Sequence, residues 1–363
     1  MALNDKDLDL KLFVSSILRK LGYTVFQEVD LCTYSYQPKY TRKQITDFDV
    51  LGVRTEADFG VNLAVAECKS VQEKAMEHLL KLNGVKEFFG ANKAYFVQKK
   101  IDINAREIGR ELGIWVLDQQ NLYTLMKSIG LEEKTHVEIE RNVYLEKKKA
   151  FNAQKADLAK LTDYLRYDFW TLPSHRNIIN LLRLLQNAAD KLESDNQAHI
   201  AMVHQVATNL SFAIFSLTGE VVRHNINDLS DGTLTTILGG PRERRDKEAL
   251  FDTIAKLVPD ARLSVVPPFK DALAELVARF VNSSSSASKV VPCLDLITRS
   301  SLHSEVEEIF GKAEDTYGER SLKLARDVIY FIINQSKIAK DLFKGTLIDN
   351  NSPAVQPDTA PDG

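Results

Sequence analysis

The sequence predicts an α/β N-terminal domain, a mixed sheet with flanking helices, followed by an all-α C-terminal domain. Three observations predict it. Over residues 3–127, short runs rich in β-branched residues alternate with stretches of helical periodicity, the pattern of a sheet covered by helices. After about residue 130 the strand signals nearly stop, and apolar residues recur at helical spacing. The length of 363 residues is enough for two or three domains.

The first helix is expected over residues 3–21, where Leu10, Phe13, Val14, Ile17, Leu18 and Leu21 share a face and Gly22 ends the run. "YTVFQEVDL" reads as a strand and "CTYSYQPKYTRKQ" as a loop. "ITDFDVLGV" and "VNLAVAECK" read as a second and third strand, joined by the turn "RTEADFG". Residues 72–90 form a helix with Met76, Leu79, Leu80, Val85 and Phe89 on its apolar side. "KAYFVQ" is a strand, "NAREIGRELG" a short helix and "GIWVLD" a last strand. The order is α-β-β-β-α-β-α-β, and the domain is bounded at residues 1–130.

Residues 131–160 are charge-rich and read as a helical connector with a solvated surface, including "LEKKKAFNAQK". Residues 161–346 form the helical domain, with periodic stretches at 175–194, 197–218, 247–258, 268–282 and 319–343. "NDLSDG", "LGGPRERR", "VPPF" and "NSSSSASK" read as loops, the serine run at 283–286 being a linker within the domain. Residues 347–363, Pro- and Asp-rich without aromatics, read as a disordered tail.

Composition narrows the function classes. A net charge of −3 gives no global basic signal for nucleic acid. Cys32, Cys68 and Cys293 are scattered, offer neither a disulfide framework nor a zinc spacing, and suit a reducing cytoplasmic setting. The start "MALNDKDLDL" lacks the basic-then-apolar order of a signal peptide. No uninterrupted run reaches the roughly 18 apolar residues of a membrane span, so no membrane partner is expected. "VATNLSFAIFSLTG" reads as a buried helix.

The third strand ends in Glu67, Cys68 and Lys69, although burying charge is costly unless it is paired or metal-bound. Side chains alternate along a strand, so Val65, Glu67 and Lys69 share one face, and Asp47, Asp49 and Leu51 share one face of the second strand. If the two strands pair through the intervening turn, Asp49 approaches Glu67. Two nearby carboxylates repel, and a hard divalent cation between them relieves this, since Mg²⁺ takes one or two carboxylates plus substrate phosphate. A lysine on the same face can orient water or offset charge on a phosphate. Other E-x-K triplets, at 132–134 and 146–148, lie on helix surface. The competing reading is a strand end emerging into water with Glu67 and Lys69 as exposed neighbours.

"TDFDVLGV", "VNLAVAECKS", "EHLLKLNGVKEFFGANKAYFVQ" and "NAREIGRELGIWVLD" together resemble the PD-(D/E)xK nuclease superfamily, in its branch of Mrr-type restriction endonucleases and archaeal Holliday-junction resolvases. The resemblance covers about residues 3–127 and implies a restriction-endonuclease-like fold. It implies Asp49 and Glu67 as metal ligands, the Cys68 backbone carbonyl as a third, and Lys69 as the catalytic lysine. Mg²⁺ or Mn²⁺ would be the cofactor and DNA the substrate. The proline of the superfamily's name is absent, Phe48 standing before Asp49. Many relatives carry a metal-reaching acid on the first helix, for which Asp9 is the candidate; Asp47 competes with Asp49.

Tyr36, Lys39, Tyr40, Arg42 and Lys43 interleave aromatic and basic side chains just before the second strand, an arrangement that can stack on bases and hold phosphates. The loop equally reads as an ordinary hairpin with packed tyrosines. His78, His199 and His204 show no ligand spacing and read as structural or surface residues. "LGGPRERRDK" lacks the Lys-Ser/Thr of a phosphate-binding loop and reads as a connector.

Two functional expectations follow. One is an Mg²⁺-dependent DNA endonuclease in restriction or phage defence, a homodimer supplying two cuts and the helical domain engaging a protein partner. The other is a catalytically inactive protein of the same fold that acts as a DNA- or protein-binding module.

Overall fold

The computed structural model describes residues 7–35, 41–71, 74–131, 133–257, 264–303 and 313–343. The predicted tail at 347–363, and Tyr36, Lys39 and Tyr40 of the basic loop, lie outside the described residues. The N-terminal part is a five-stranded mixed sheet: α1 (Leu8–Lys20), β1 (Thr24–Ser35), β2 (Thr41–Thr55), β3 (Val61–Lys69), α2 (Ala75–Phe89), β4 (Lys93–Gln98), α3 (Ile103–Glu111), β5 (Ile114–Asp118) and α4 (Gln119–Ser128). The strand order is β1-β2-β3-β4-β5, antiparallel from β1 to β3 and parallel from β3 to β5. Hairpins join the antiparallel strands, and α2 and α3 provide the crossovers that parallel neighbours require.

Both faces of the sheet are covered, which is why β3 and β4 read as near-continuous apolar runs. Val50, Ala64, Ala66, Cys68, Tyr95 and Val97 pack under α1 and α4. Leu51, Val53, Val65, Ala94 and Phe96 pack under α2 and α3. At Gly109 of α3 a Cβ would lie 2.1 Å from Val116 Cγ2, so only glycine lets that helix reach β5.

Strands β1 and β2 switch faces once. Phe26 and Val29 of β1, and Phe48 and Leu51 of β2, all enter the same core cluster, although residues three apart on a regular strand face opposite sides. Glu28, at φ 54°, sits in that step on β1, and Asp49 sits in it on β2.

The remainder is helical: α5 (Glu133–Asn152), α6 (Ala156–Asp163) running into a π-helical turn (Tyr164–Asp168), α7 (Ser174–Ala188), α8 (Gln197–Asn225), α9 (Leu229–Ile237), α10 (Pro241–Leu257), α11 (Lys270–Val281), α12 (Ser284–Ala287), α13 (Val290–Leu302), α14 (Ala313–Tyr317) and α15 (Glu319–Ser336). Helix α8 runs through the middle of this core, with Val203, Val206, Leu210, Ile214 and Leu217 fully buried. Its segment Gln197–His224 is long and apolar enough to cross a membrane by length and composition, yet 83% of that window is buried within the protein. The serine run is not a linker: it forms α12, with Ala287 buried. "PRERRDK" opens α10 and "LSDG" opens α9, where both had read as loops.

Helix α5 departs furthest from expectation. It is a buried strut between the two parts and not a solvated connector. Val137 and Tyr144 complete the α1 core, while Ile139 and Val143 pack with Leu296 of α13. Glu140, in the same helix, receives Arg19 of α1 at 3.0 Å (Nε–Oε1) and also pairs with Arg299 of α13. Arg19 pairs in turn with Asp295. Burial opposes the Arg19 charge, but Asp295 and Glu140 outweigh it and hold its pKa above the ordinary value. This network, together with the Thr55 hydroxyl donating to the Ser288 carbonyl at 2.6 Å, fastens the helical domain to the sheet.

Replacing Glu140 with Gln leaves two buried guanidiniums without their shared counter-charge. Breaking a buried ionic network costs about 3–5 kcal/mol, so the urea midpoint of Glu140→Gln should fall well below that of the wild type. Indistinguishable midpoints would contradict the role given to this network.

Candidate active site

The site forms where β2 and β3 part. Their ladder ends at Val50 opposite Ala66. Two residues further along β3, the Cys68 N–H has left the ladder, and the Asp49 carboxylate accepts it at 2.7 Å. A buried backbone donor must be paired, so Asp49 is structurally committed as well as chemically available. The predicted approach of Asp49 to Glu67 follows from this register.

Asp49 is held from below by Lys11 of α1, whose Nζ lies 3.1 Å from Oδ1. Both residues are only 8% exposed. Burial pushes the Asp49 carboxyl above its ordinary pKa, and Lys11, the Cys68 N–H and Lys69 work against that rise. Glu67, on β3, is engaged at the same oxygen by Lys69 Nζ at 3.3 Å and by His78 Nδ1 at 2.8 Å. The His78 ring, from α2, stacks on Phe96 of β4 with centroids 6.0 Å apart. Burial acts to lower the Lys69 pKa, but the charges of Asp49 and Glu67 raise it overall, so Lys69 is a cation at neutral pH. Both carboxylates thus act on one ammonium at the open end of the strand pair.

The remaining candidates are distributed as follows. The Cys68 thiol is core, fully buried among α1-facing residues, and burial pushes its pKa well up. Asp9 is not at the site: it is exposed and pairs with Arg141 of α5. The first-helix acid beside the cluster is Asp7, the residue before α1, which accepts the Ser70 N–H. Asp47 does not share the surroundings of Asp49, because it is exposed and stands opposite Asp30 of β1. Arg42 is turned toward the helical domain: it lies 3.9 Å from the Tyr167 ring centroid and 3.6 Å from Asp168, which also accepts the Tyr34 hydroxyl. Lys43 is exposed.

Lys11 and Gln98 escaped the sequence reading, Asp7 was passed over for Asp9, and His78 was read as structural or surface. Gln98 stands beside Lys69 in the β3–β4 register, nearly fully buried, and donates to the Val71 carbonyl at 2.9 Å. Lys11 had a signal: it sits within the unbroken buried run of α1 from Leu10 to Leu18, where a solvated lysine has no place. His78 carried none, since its partner lies on another element.

The donor set suits a hard cation: two carboxylates and the Cys68 carbonyl, all oxygen. Among the described residues, however, no group of three or more His, Cys, Asp or Glu side chains gathers as a metal centre. A divalent ion shared by Asp49 and Glu67 would therefore draw on backbone oxygen and water, and would require Lys69 to yield part of its contact with Glu67. Comparison of the chain with known protein families, curated proteins and solved structures found no match.

Asp49→Asn keeps an acceptor for the Cys68 N–H, whereas Asp49→Ala leaves that donor bare. A buried donor stripped of its partner costs about 1–3 kcal/mol, so Asp49→Ala should unfold at lower urea than Asp49→Asn. Equal midpoints would show that the carboxylate does not support the strand end.

Proposed function

We propose that the protein is a metal-dependent DNA endonuclease with a restriction-endonuclease-like N-terminal domain, acting in restriction or phage defence. The observation that carries this reading is the convergence of Asp49, Glu67 and Lys69 where β2 and β3 separate. Asp49, Glu67 and the Cys68 carbonyl would hold Mg²⁺ or Mn²⁺, which when bound supplies Lewis-acid polarisation of the phosphate and an activated water. The chain's own groups have separable tasks. Lys69 offsets negative charge growing on the phosphate and orients the attacking water. His78 holds the Glu67 carboxylate toward the open side. Lys11 holds Asp49 in place and opposes the effect of burial on its carboxylate. DNA is the substrate and Lys43 a backbone contact, with Arg42 reserved for docking the hairpin on the helical domain. Two cuts in a duplex call for a homodimer, and the helical domain is the surface left for a protein partner.

A second reading rests on a specific observation. Lys11 and Lys69 already neutralise the two carboxylates without any metal. A fold that has lost cleavage and retains only DNA or protein binding would look the same at these residues.

The test is cleavage of supercoiled plasmid, single-stranded DNA and a four-way junction by wild type and Lys69→Ala, in Mg²⁺, Mn²⁺ and EDTA. Removing one electrostatic stabiliser lowers turnover by about 10²–10³, so cutting should need metal and fall by that factor in the variant. Wild-type cutting in EDTA, or equal cutting by the variant, would overturn the assignment; absence of cutting by wild type on every substrate would favour the binding module.

A further inference from the structure

A second feature adjoins the strand-end cluster and shares Lys11 with it. Between β1, α5, α8 and α13 is a cavity of about 410 Å³, within the range of small-molecule sites. An interface built only for cohesion would be closed by apolar side chains, because burying charge is costly. This one is lined by six cations, Lys11, Arg19, Lys147, Lys148, Arg166 and Arg299. The same wall carries five carboxylates, Glu28, Asp30, Asp47, Glu140 and Asp295, and most of the cations meet one. Arg19 and Arg299 share Glu140, Arg166 meets Asp30 at 2.6 Å, and Lys148 and Lys11 meet Glu28 at 3.3 and 3.8 Å.

Lys147 differs. Its ammonium donates to the Gln205 side-chain oxygen and lies 5.6 Å from the Phe151 ring centroid. Among the described residues no carboxylate forms an ion pair with it. Burial pushes its pKa down to about 8, with the guanidiniums of Arg19 and Arg299 adding to the effect and Asp295 opposing it. Around it the wall is neutral and polar: Gln205 donates to Asn209 at 2.7 Å, and Asn152 and Thr298 complete that end. Another part of the wall is aromatic, where Phe26 and Trp170 meet edge to face with centroids 4.7 Å apart. An ammonium met by an amide oxygen and by no carboxylate ion pair among the described residues, further amide groups and a ring surface are complementary to a small planar anion.

We propose that this cavity binds a small organic anion bearing a planar ring, its anionic head on Lys147 and its ring against the Phe26–Trp170 wall. The head is a phosphate or a carboxylate. The claim concerns binding and stands whether or not the chain cleaves DNA.

The test is calorimetric titration and thermal melting of the full chain with four probes: AMP, GMP, salicylate and inorganic phosphate. Wild type should bind AMP or GMP if the head is a phosphate, or salicylate if it is a carboxylate, and should melt higher when bound. Losing one charge-assisted contact is a factor of about ten or more, so Lys147→Met should weaken binding at least that much, while Lys147→Arg retains it. Lys147→Met removes a charge that the fold disfavours, so its unliganded melting temperature should not fall. No binding of any ringed probe at about 5 mM, weaker than any specific site warrants, would overturn the proposal. So would equal binding by Lys147→Met, or inorganic phosphate binding as tightly as the ringed probes.

Discussion

The interaction on which the site depends is the buried pair of Asp49 and Lys11. A carboxylate this deep is tolerable only because its charge is met by an ammonium and its second oxygen takes the Cys68 N–H. That same hydrogen bond fixes where β2 leaves β3. The strand end follows from it: Glu67 keeps β4 on one side but has no ladder partner on β2, and Lys69 is acted on by two anions. Replacing the pair with apolar residues would make a simpler strand end.

Helix α1 carries the constraint outward. Lys11 faces Asp49, and two turns later Arg19 enters the ionic network of Glu140, Arg299 and Asp295. Helix α5 then closes the α1 core with Val137 and Tyr144 and meets α13 with Ile139 and Val143. The two parts of the chain therefore share walls. The cavity between them reaches Lys11 itself, so the helical domain is one side chain away from the acidic cluster.

Much of the first domain was legible in the sequence. Strong alternation and short turns placed its first eight elements in order, and period-two reasoning brought Asp49 toward Glu67 and Lys69. Asp47 was misplaced because the face switch near Glu28 and Asp49 leaves no mark in periodicity. Asp9 was preferred to Asp7 because both lie near the start of α1, and only their tertiary contacts, Ser70 for one and Arg141 for the other, separate them. Helix α5 looked solvated because charge-rich composition hides Glu140 and Lys147, whose partners lie more than fifty residues away. Helices α9, α10 and α12 start in Gly-, Ser- and Pro-rich text that reads as loop until tertiary packing decides otherwise.

The central claim is that Asp49 and Glu67 form a divalent cation site. The most direct measurement is isothermal titration of Mn²⁺ into wild type and Glu67→Gln, a substitution that keeps the shape and removes the charge. The account predicts saturable binding by wild type that is lost in Glu67→Gln. Equal binding by both proteins, or none by wild type, would contradict it.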